Sequence, residues 1–121
     1  MIIVEYFARL DGPDPLTGLE LVEPDVDFLL ALPDGQRTGH GRTALGDYIS
    51  GRPDVGRKHR VLRQSRDGDL EMVYGVVVEG AGSGTGSFVS VGLVSPAGRL
   101  ARYQSYFDPE FGMYPLPVVS A

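Results

Sequence analysis

An α+β domain with a mainly antiparallel sheet is what this sequence predicts. Helical patterns come first and strand patterns later, which separates it from a parallel βαβ fold. The last four strand candidates follow one another through short connections, as in an antiparallel meander. No repeat and no linker-like shift in composition divides the 121 residues, so a single domain over residues 1–121 is expected.

The first helix is expected over Ile2 to Leu10, because Ile3, Phe7 and Leu10 share one face with Tyr6 beside them. Gly12-Pro13 ends it. Asp14 then reads as an N-cap with Pro15 at the first helical position, opening a second helix that carries Leu16, Leu19 and Val22. That helix should stop before Pro24, since the residue preceding a proline is pushed out of the α region. Val26 to Leu32 is an apolar run that reads as a buried strand, closed by a Pro33-Asp34-Gly35 turn. Thr43 is the expected cap of a third helix with Ala44, Leu45, Tyr48 and Ile49 inward. Gly51 stands where a left-handed C-terminal residue is expected. Strands are then expected at His59 to Gln64, Leu70 to Glu79, Ser87 to Val94 and Arg99 to Phe107. The turns between them are Asp67-Gly68-Asp69, Gly80 to Gly86 and Pro96-Ala97-Gly98. Residues 110–121 contain Pro115 and Pro117 and read as an extended arm, laid on the sheet or on a partner chain.

Composition narrows the function. There are no cysteines, which excludes disulfides, thiolate catalysis and Cys-ligated metal sites. A net charge of −5 argues against nucleic acid, which needs a basic face. Six basic residues do crowd together: Arg52, Arg57, Lys58, Arg60, Arg63 and Arg66. They read as the charged edge of a sheet, with an anion-binding strip as the alternative. No apolar run approaches the roughly 20 residues that span a bilayer, and no basic-then-apolar leader opens the chain. A cytoplasmic protein without membrane contact is therefore expected. Two histidines far apart in sequence give no recognisable metal-ligand set, and no cofactor is expected. The run from Gly80 to Gly86 lacks a phosphate-loop spacing and a lysine, and leads into a strand; it reads as a flexible hairpin tip.

Four phrases in order carry a resemblance: Tyr6-Phe7-Ala8-Arg9-Leu10-Asp11, Pro24-Asp25-Val26-Asp27-Phe28, Gly41-Arg42-Thr43-Ala44-Leu45, and Gly98-Arg99-Leu100 through Tyr106-Phe107-Asp108. Together they resemble the SnoaL-like, or nuclear transport factor 2-like, superfamily over nearly the whole chain. The resemblance implies a cone in which helices pack on a strongly curved, cystatin-like sheet. It also implies a pocket lined by apolar and aromatic side chains, and a homodimer. It does not choose a reaction, because the superfamily includes isomerases, cyclases, hydrolases, dehydratases and non-enzymatic binding domains.

Against the ketosteroid isomerase pattern, Tyr6 matches the oxyanion tyrosine, but Leu30 and Ser90 fall where a base and a second acid are needed. Asp25 and Asp27 form no ordered Asp–Arg–Asp set of the limonene epoxide hydrolase kind. The polyketide cyclase pattern wants an acid/base aspartate with a histidine nearby, for which His59 and Asp108 are the candidates. Asp108 equally suits a strand-end turn, His59 a strand histidine at the sheet edge, and His40 an exposed loop. The expected pocket set is Tyr6, Phe28, Tyr48, His59, Met72, Tyr74, Phe88, Ser90 and Tyr103. Ser90 and Gly92 would leave space opposite the aromatic rings, unless the core is simply filled there. Two readings follow: a domain that binds a small apolar molecule, or a cofactor-independent acid/base enzyme of isomerase, cyclase or hydratase type. The second would act on a polyketide- or terpene-like ring, with His59, Tyr6 or Asp108 as the catalytic candidates.

Overall fold

The computed structural model describes residues 1–119. Helix α1 spans Ile2–Leu10 and turns Ile3, Tyr6, Phe7 and Leu10 onto one buried stripe, the spacing that 3.6 residues per turn requires. Its first amides would be orphans, because a helix leaves its N-terminal N–H groups without internal partners. Glu71 supplies them: the Ile2 amide donates to Oε2 at 3.1 Å and the Ile3 amide to Oε1 at 2.9 Å. The Glu71 side chain is fully buried, and Arg66 Nη1 approaches it at 3.7 Å. A buried carboxylate is tolerated where such donors and the positive helix end compensate it.

The second helix is a 3-10 helix, Pro15–Leu21, rather than an α-helix. Asp14 precedes it without a side-chain cap; instead the Thr17 hydroxyl donates to the Asp14 carbonyl at 2.7 Å. Buried Gly18 lies against the Tyr6 ring, so this short segment fastens one end of α1. Helix α2, Arg42–Ser50, starts one residue before Thr43, and its N-cap is Gly41 at φ 93°, a backbone only glycine adopts freely. Gly51 closes it in the right-handed region at φ −85°, so the expected left-handed cap is absent.

Six strands form one open sheet: β1 Val22–Leu32, β2 Gly35–His40, β3 Lys58–Asp67, β4 Leu70–Glu79, β5 Ser83–Val94 and β6 Leu100–Asp108. The order is β2-β1-β6-β5-β4-β3. Strands β3 to β6 make the antiparallel meander, and β1 joins β6 in parallel, so the sheet is mixed. Strand β1 begins earlier than Val26 because it passes through Pro24 at an irregularity between Val22 and Asp27. Strand β2 carries no apolar alternation and is held by its pairing with β1 at the sheet edge. The tip of the Phe28 ring packs against Gly39, where a Cβ would stand 2.6 Å from a ring carbon. The glycine run is also more ordered than a hairpin tip: only Gly80 to Gly82 turn, and Ser83 onward belongs to β5. The basic residues Arg60, Arg63 and Arg66 lie on β3, the other edge.

All helices pack on one face of the sheet. Val73 and Val77 of β4, Phe88 and Val94 of β5 and Tyr103 of β6 meet α1 and α2 there. Gly92 faces the same way, but Ile3 and Leu100 fill its space: a Cβ would lie 2.7 Å from each, so no room is left for a ligand. On the opposite face, the arm after β6 runs back over the sheet. Ser87 Oγ donates to the Phe111 carbonyl at 2.6 Å, the Met113 amide to Tyr74 Oη at 2.6 Å, and the Gly84 amide to the Pro117 carbonyl at 2.8 Å. Ser120 and Ala121 lie outside the described residues. No helix among the described residues is long and apolar enough to cross a membrane.

Candidate functional site

The helices do not fill the whole face they cover. Between them and strands β1, β5 and β6 lies a cavity of about 890 Å³. Tyr6, Phe7 and Leu10 of α1 wall one side, and Phe28, Leu30, Phe88, Tyr103 and Phe107 of the sheet wall the other. Tyr48 and Ile49 of α2 close a third side, and exposed Asp34 and Arg37 mark the rim.

Two elements bring the chemistry together. Asp11 caps the C-terminus of α1, and His59 is the second residue of β3. One Asp11 oxygen accepts the His59 amide at 2.6 Å, and the other lies 3.0 Å from Nδ1. Both side chains are nearly buried, His59 at 14% and Asp11 at 9% exposure, which keeps water from competing for the pair. The imidazole stacks on Phe7 at 4.2 Å between centroids and 7° between planes, and meets the Phe88 edge at 5.2 Å. A carboxylate accepts only, so Nδ1 carries the proton toward Asp11. Nε2 makes no hydrogen bond to any described residue, and the ring lines the cavity. The arrangement is a histidine fixed in position and tautomer, with one nitrogen left for a ligand.

Deeper in, Tyr6 and Tyr103 meet edge to face at 5.5 Å. Burial is the main reason both phenols resist ionisation: Tyr6 is raised well above its ordinary value, and Tyr103 is pushed up to about 12. Both therefore stay neutral donors at physiological pH. Ser90, fully buried, shares a 2.7 Å hydrogen bond with Ser105, and Ser105 is the one that reaches the cavity. The sign of the resulting pH effect is definite. An unfolded tyrosine ionises near 10.0 but Tyr103 only near 12, so its contribution to stability is intact below pH 10 and is lost as pH rises toward 12. A spectrophotometric titration should show Tyr6 and Tyr103 ionising last, with alkaline unfolding in that window. Tyr103→Phe should remove one late step; early ionisation of all six tyrosines would refute the buried arrangement.

Of the sequence-predicted pocket residues, Tyr6, Phe28, Tyr48, His59, Phe88 and Tyr103 line this cavity. Met72 and Tyr74 do not. In β4 the inward positions are Glu71, Val73, Gly75 and Val77, so the alternate residues point to the far face, where Tyr74 holds the arm and meets Tyr114 at 5.9 Å. Ser90 lies behind Ser105. Asp108 is not in the cavity either. Its oxygens accept the amides of Glu110 and Phe111 and the Tyr106 hydroxyl, and the Phe111 amide first among them lowers its pKa. It is the turn residue at the root of the arm. His40 ends β2 rather than lying in a loop, and pairs with Asp27 at 2.6 Å; Arg102 holds the other Asp27 oxygen at 3.1 Å. Asp27 is thereby committed outside the cavity. Sequence reasoning missed Asp11 as the histidine's partner and Arg52 as a lining residue. No spacing rule joins Asp11 to a residue 48 positions on.

No family model matches this sequence, and no curated protein matches it. Solved structures do. A candidate isomerase of the SnoaL-like family from Agrobacterium tumefaciens superposes with a TM-score of 0.75 at 14% identity, over 88% of this chain and 94% of that one. The chain has the SnoaL-like fold. A candidate ketosteroid isomerase from Kribbella flavida superposes at 0.74 with 20% identity, covering 99% of this chain and 88% of that protein. A candidate polyketide cyclase from Sinorhizobium meliloti gives 0.66 and 20%, over 86% and 92%. At such identities the likeness is one of fold, and the chemistry of a chain with this fold depends on its own residues.

Proposed function

We propose that this SnoaL-like domain binds a small apolar ring molecule in the cavity and moves a proton on it through His59, without a cofactor. The His59–Asp11 pair carries this reading: the imidazole lines the cavity beside Phe7, Phe28, Phe88 and Tyr103, and its Nε2 has no partner among the described residues. In the proposed cycle Nε2 accepts a proton from a carbon beside a carbonyl group. The Tyr48 or Tyr103 hydroxyl donates a hydrogen bond to the carbonyl oxygen as charge builds there. The same nitrogen then returns the proton to another atom of the substrate, so the protein ends unchanged. Isomerisation, aldol ring closure and dehydration all fit a site of one histidine and neutral phenols. The similar structures named as isomerases and a cyclase agree with that class without specifying a member of it.

Binding is tested with 2-tetralone, a bicyclic ketone small enough for the cavity. It should raise the melting temperature of the native domain. Ala44→Trp, which projects an indole from α2 into the cavity, should abolish the shift while leaving the circular dichroism native. No stabilisation by 2-tetralone or by any of a panel of bicyclic ketones and phenols would sink the reading.

The far face supports a second proposal, self-association. Val89 and Tyr106 are 44% and 52% exposed there, beside Phe111 at 68% and Met113 at 71% on the arm, a set of apolar groups that a second copy would cover. Light scattering should give twice the 13.0 kDa chain mass, and Val89→Lys with Tyr106→Glu should halve it. A monomeric native protein would end this proposal.

A further inference from the structure

Three arginines and His59 line the cavity, and three of these four side chains are matched with carboxylates. Arg37 meets Asp34 at 2.8 Å, Arg57 meets Glu79 at 3.4 Å, and His59 meets Asp11 at 3.0 Å. Arg52 is the exception: no carboxylate among the described residues lies within 4.0 Å of it. It follows the C-cap of α2, where Gly51 ends the helix, and one Nη2–H donates to the Leu10 carbonyl at 3.3 Å, tying it to the last turn of α1. Its Nε is buried with no hydrogen-bond partner at all. A guanidinium offers five N–H donors in a planar fork, and this one uses a single donor on the protein. Leaving buried donors unpaired is costly, and a guanidinium that lines a cavity with most of its donors free is suited to receive an acceptor from outside the chain. Arg42 also has a partnerless Nε, but it does not line the cavity.

We infer that the cavity takes an apolar ring compound bearing a carboxylate, and that Arg52 is the residue that receives that anion. The inference rests on the proposed function, and it names the substrate class for that site. A carboxylate presents two oxygens in a plane, which the guanidinium fork matches with paired, charge-assisted hydrogen bonds. Arg52 lines the same cavity as Tyr6, Tyr48 and Tyr103, and its charge partly offsets the burial effect on the Tyr6 and Tyr103 phenols. Asp54 and Asp47, the nearest carboxylates in sequence, are both exposed, and neither pairs with Arg52. An anion held at Arg52 would leave the ring against Phe28, Leu30 and Phe88, within the same cavity as His59.

The test compares 2-naphthoic acid with methyl 2-naphthoate, which share a ring and differ in charge. Titration calorimetry on the native protein should show the acid, ionised at neutral pH, binding about tenfold tighter or more. Arg52→Gln should bring the ratio to about one, and Arg52→Lys should keep part of the preference. Equal binding of acid and ester to the native protein, or a preference that survives in Arg52→Gln, overturns the role of Arg52 and leaves the cavity reading standing. Binding of neither probe overturns both. The native ratio needs no variant, so the inference stands or falls on it even if Arg52→Gln does not fold.

Discussion

Glu71→Leu is expected to lower the unfolding free energy by about 3 kcal/mol. The change strips the acceptor from two α1 amides, and Ile3 is fully buried, so water cannot take over at its amide. Each orphaned amide costs about 1–3 kcal/mol, and the lost interaction with the positive helix end adds a fraction more. Replacing a buried ion by an apolar residue can be neutral where its partner is another side chain that can also be changed. Here the partners are backbone amides, which no compensating substitution removes. Glu71→Gln keeps one acceptor oxygen but turns its amide nitrogen toward a donor, so about half the loss is expected. Urea denaturation reads both, with the Leu variant melting roughly 10–15 °C lower. A Leu variant within about 0.5 kcal/mol of the native protein, a margin typical of neutral surface changes, would show that α1 is held by its apolar stripe alone.

His59→Gln should lower the proposed proton transfer by about 10²- to 10⁴-fold. The readout requires no knowledge of the natural substrate: exchange of the α-protons of 2-tetralone in deuterated water, followed by NMR. Asp11→Asn is the more diagnostic change. The asparagine oxygen can still accept the His59 amide, but its NH₂ would donate to Nδ1, moving the ring proton to Nε2 and disabling it as a base. A loss of about 10- to 100-fold is expected with the fold intact. The double variant should be no worse than His59→Gln, because the two side chains act as one unit. Unchanged exchange in His59→Gln would remove the histidine from the chemistry, and additive losses would show that Asp11 acts elsewhere.

How much of this was legible depends on the range of the interaction involved. The periodicity of Ile3, Tyr6, Phe7 and Leu10 located α1 to the residue, because a helix writes its buried face into neighbouring positions. The meander strands were legible for the same reason, with Gly68 and Gly98 marking turns in the left-handed region. Strand β2 was invisible, since Gly35–His40 buries almost nothing and forms only because β1 offers it an edge. The inward face of β4 was misjudged for a related reason. Met72-Val73-Tyr74-Gly75-Val76 is apolar on both faces, one covered by the helices and the other by the arm, so alternation could not say which side was which.

Local periodicity, turn chemistry and a short inventory of titratable groups were enough for the class of the fold and the order of its elements other than β2. They were enough, too, for most of the aromatic walls and for the candidacy of His59. Four further features emerged only with the folded chain: Asp11 orients His59, Glu71 anchors α1 from β4, Asp108 takes the turn and not the cavity of its two readings, and Arg52 has no counter-charge. The first two join side chains to partners tens of residues away. The third turns on which way a strand end points, and the fourth on what every neighbouring element brings near one guanidinium. Packing and strand register settle all four, and spacing along the chain carries no record of either.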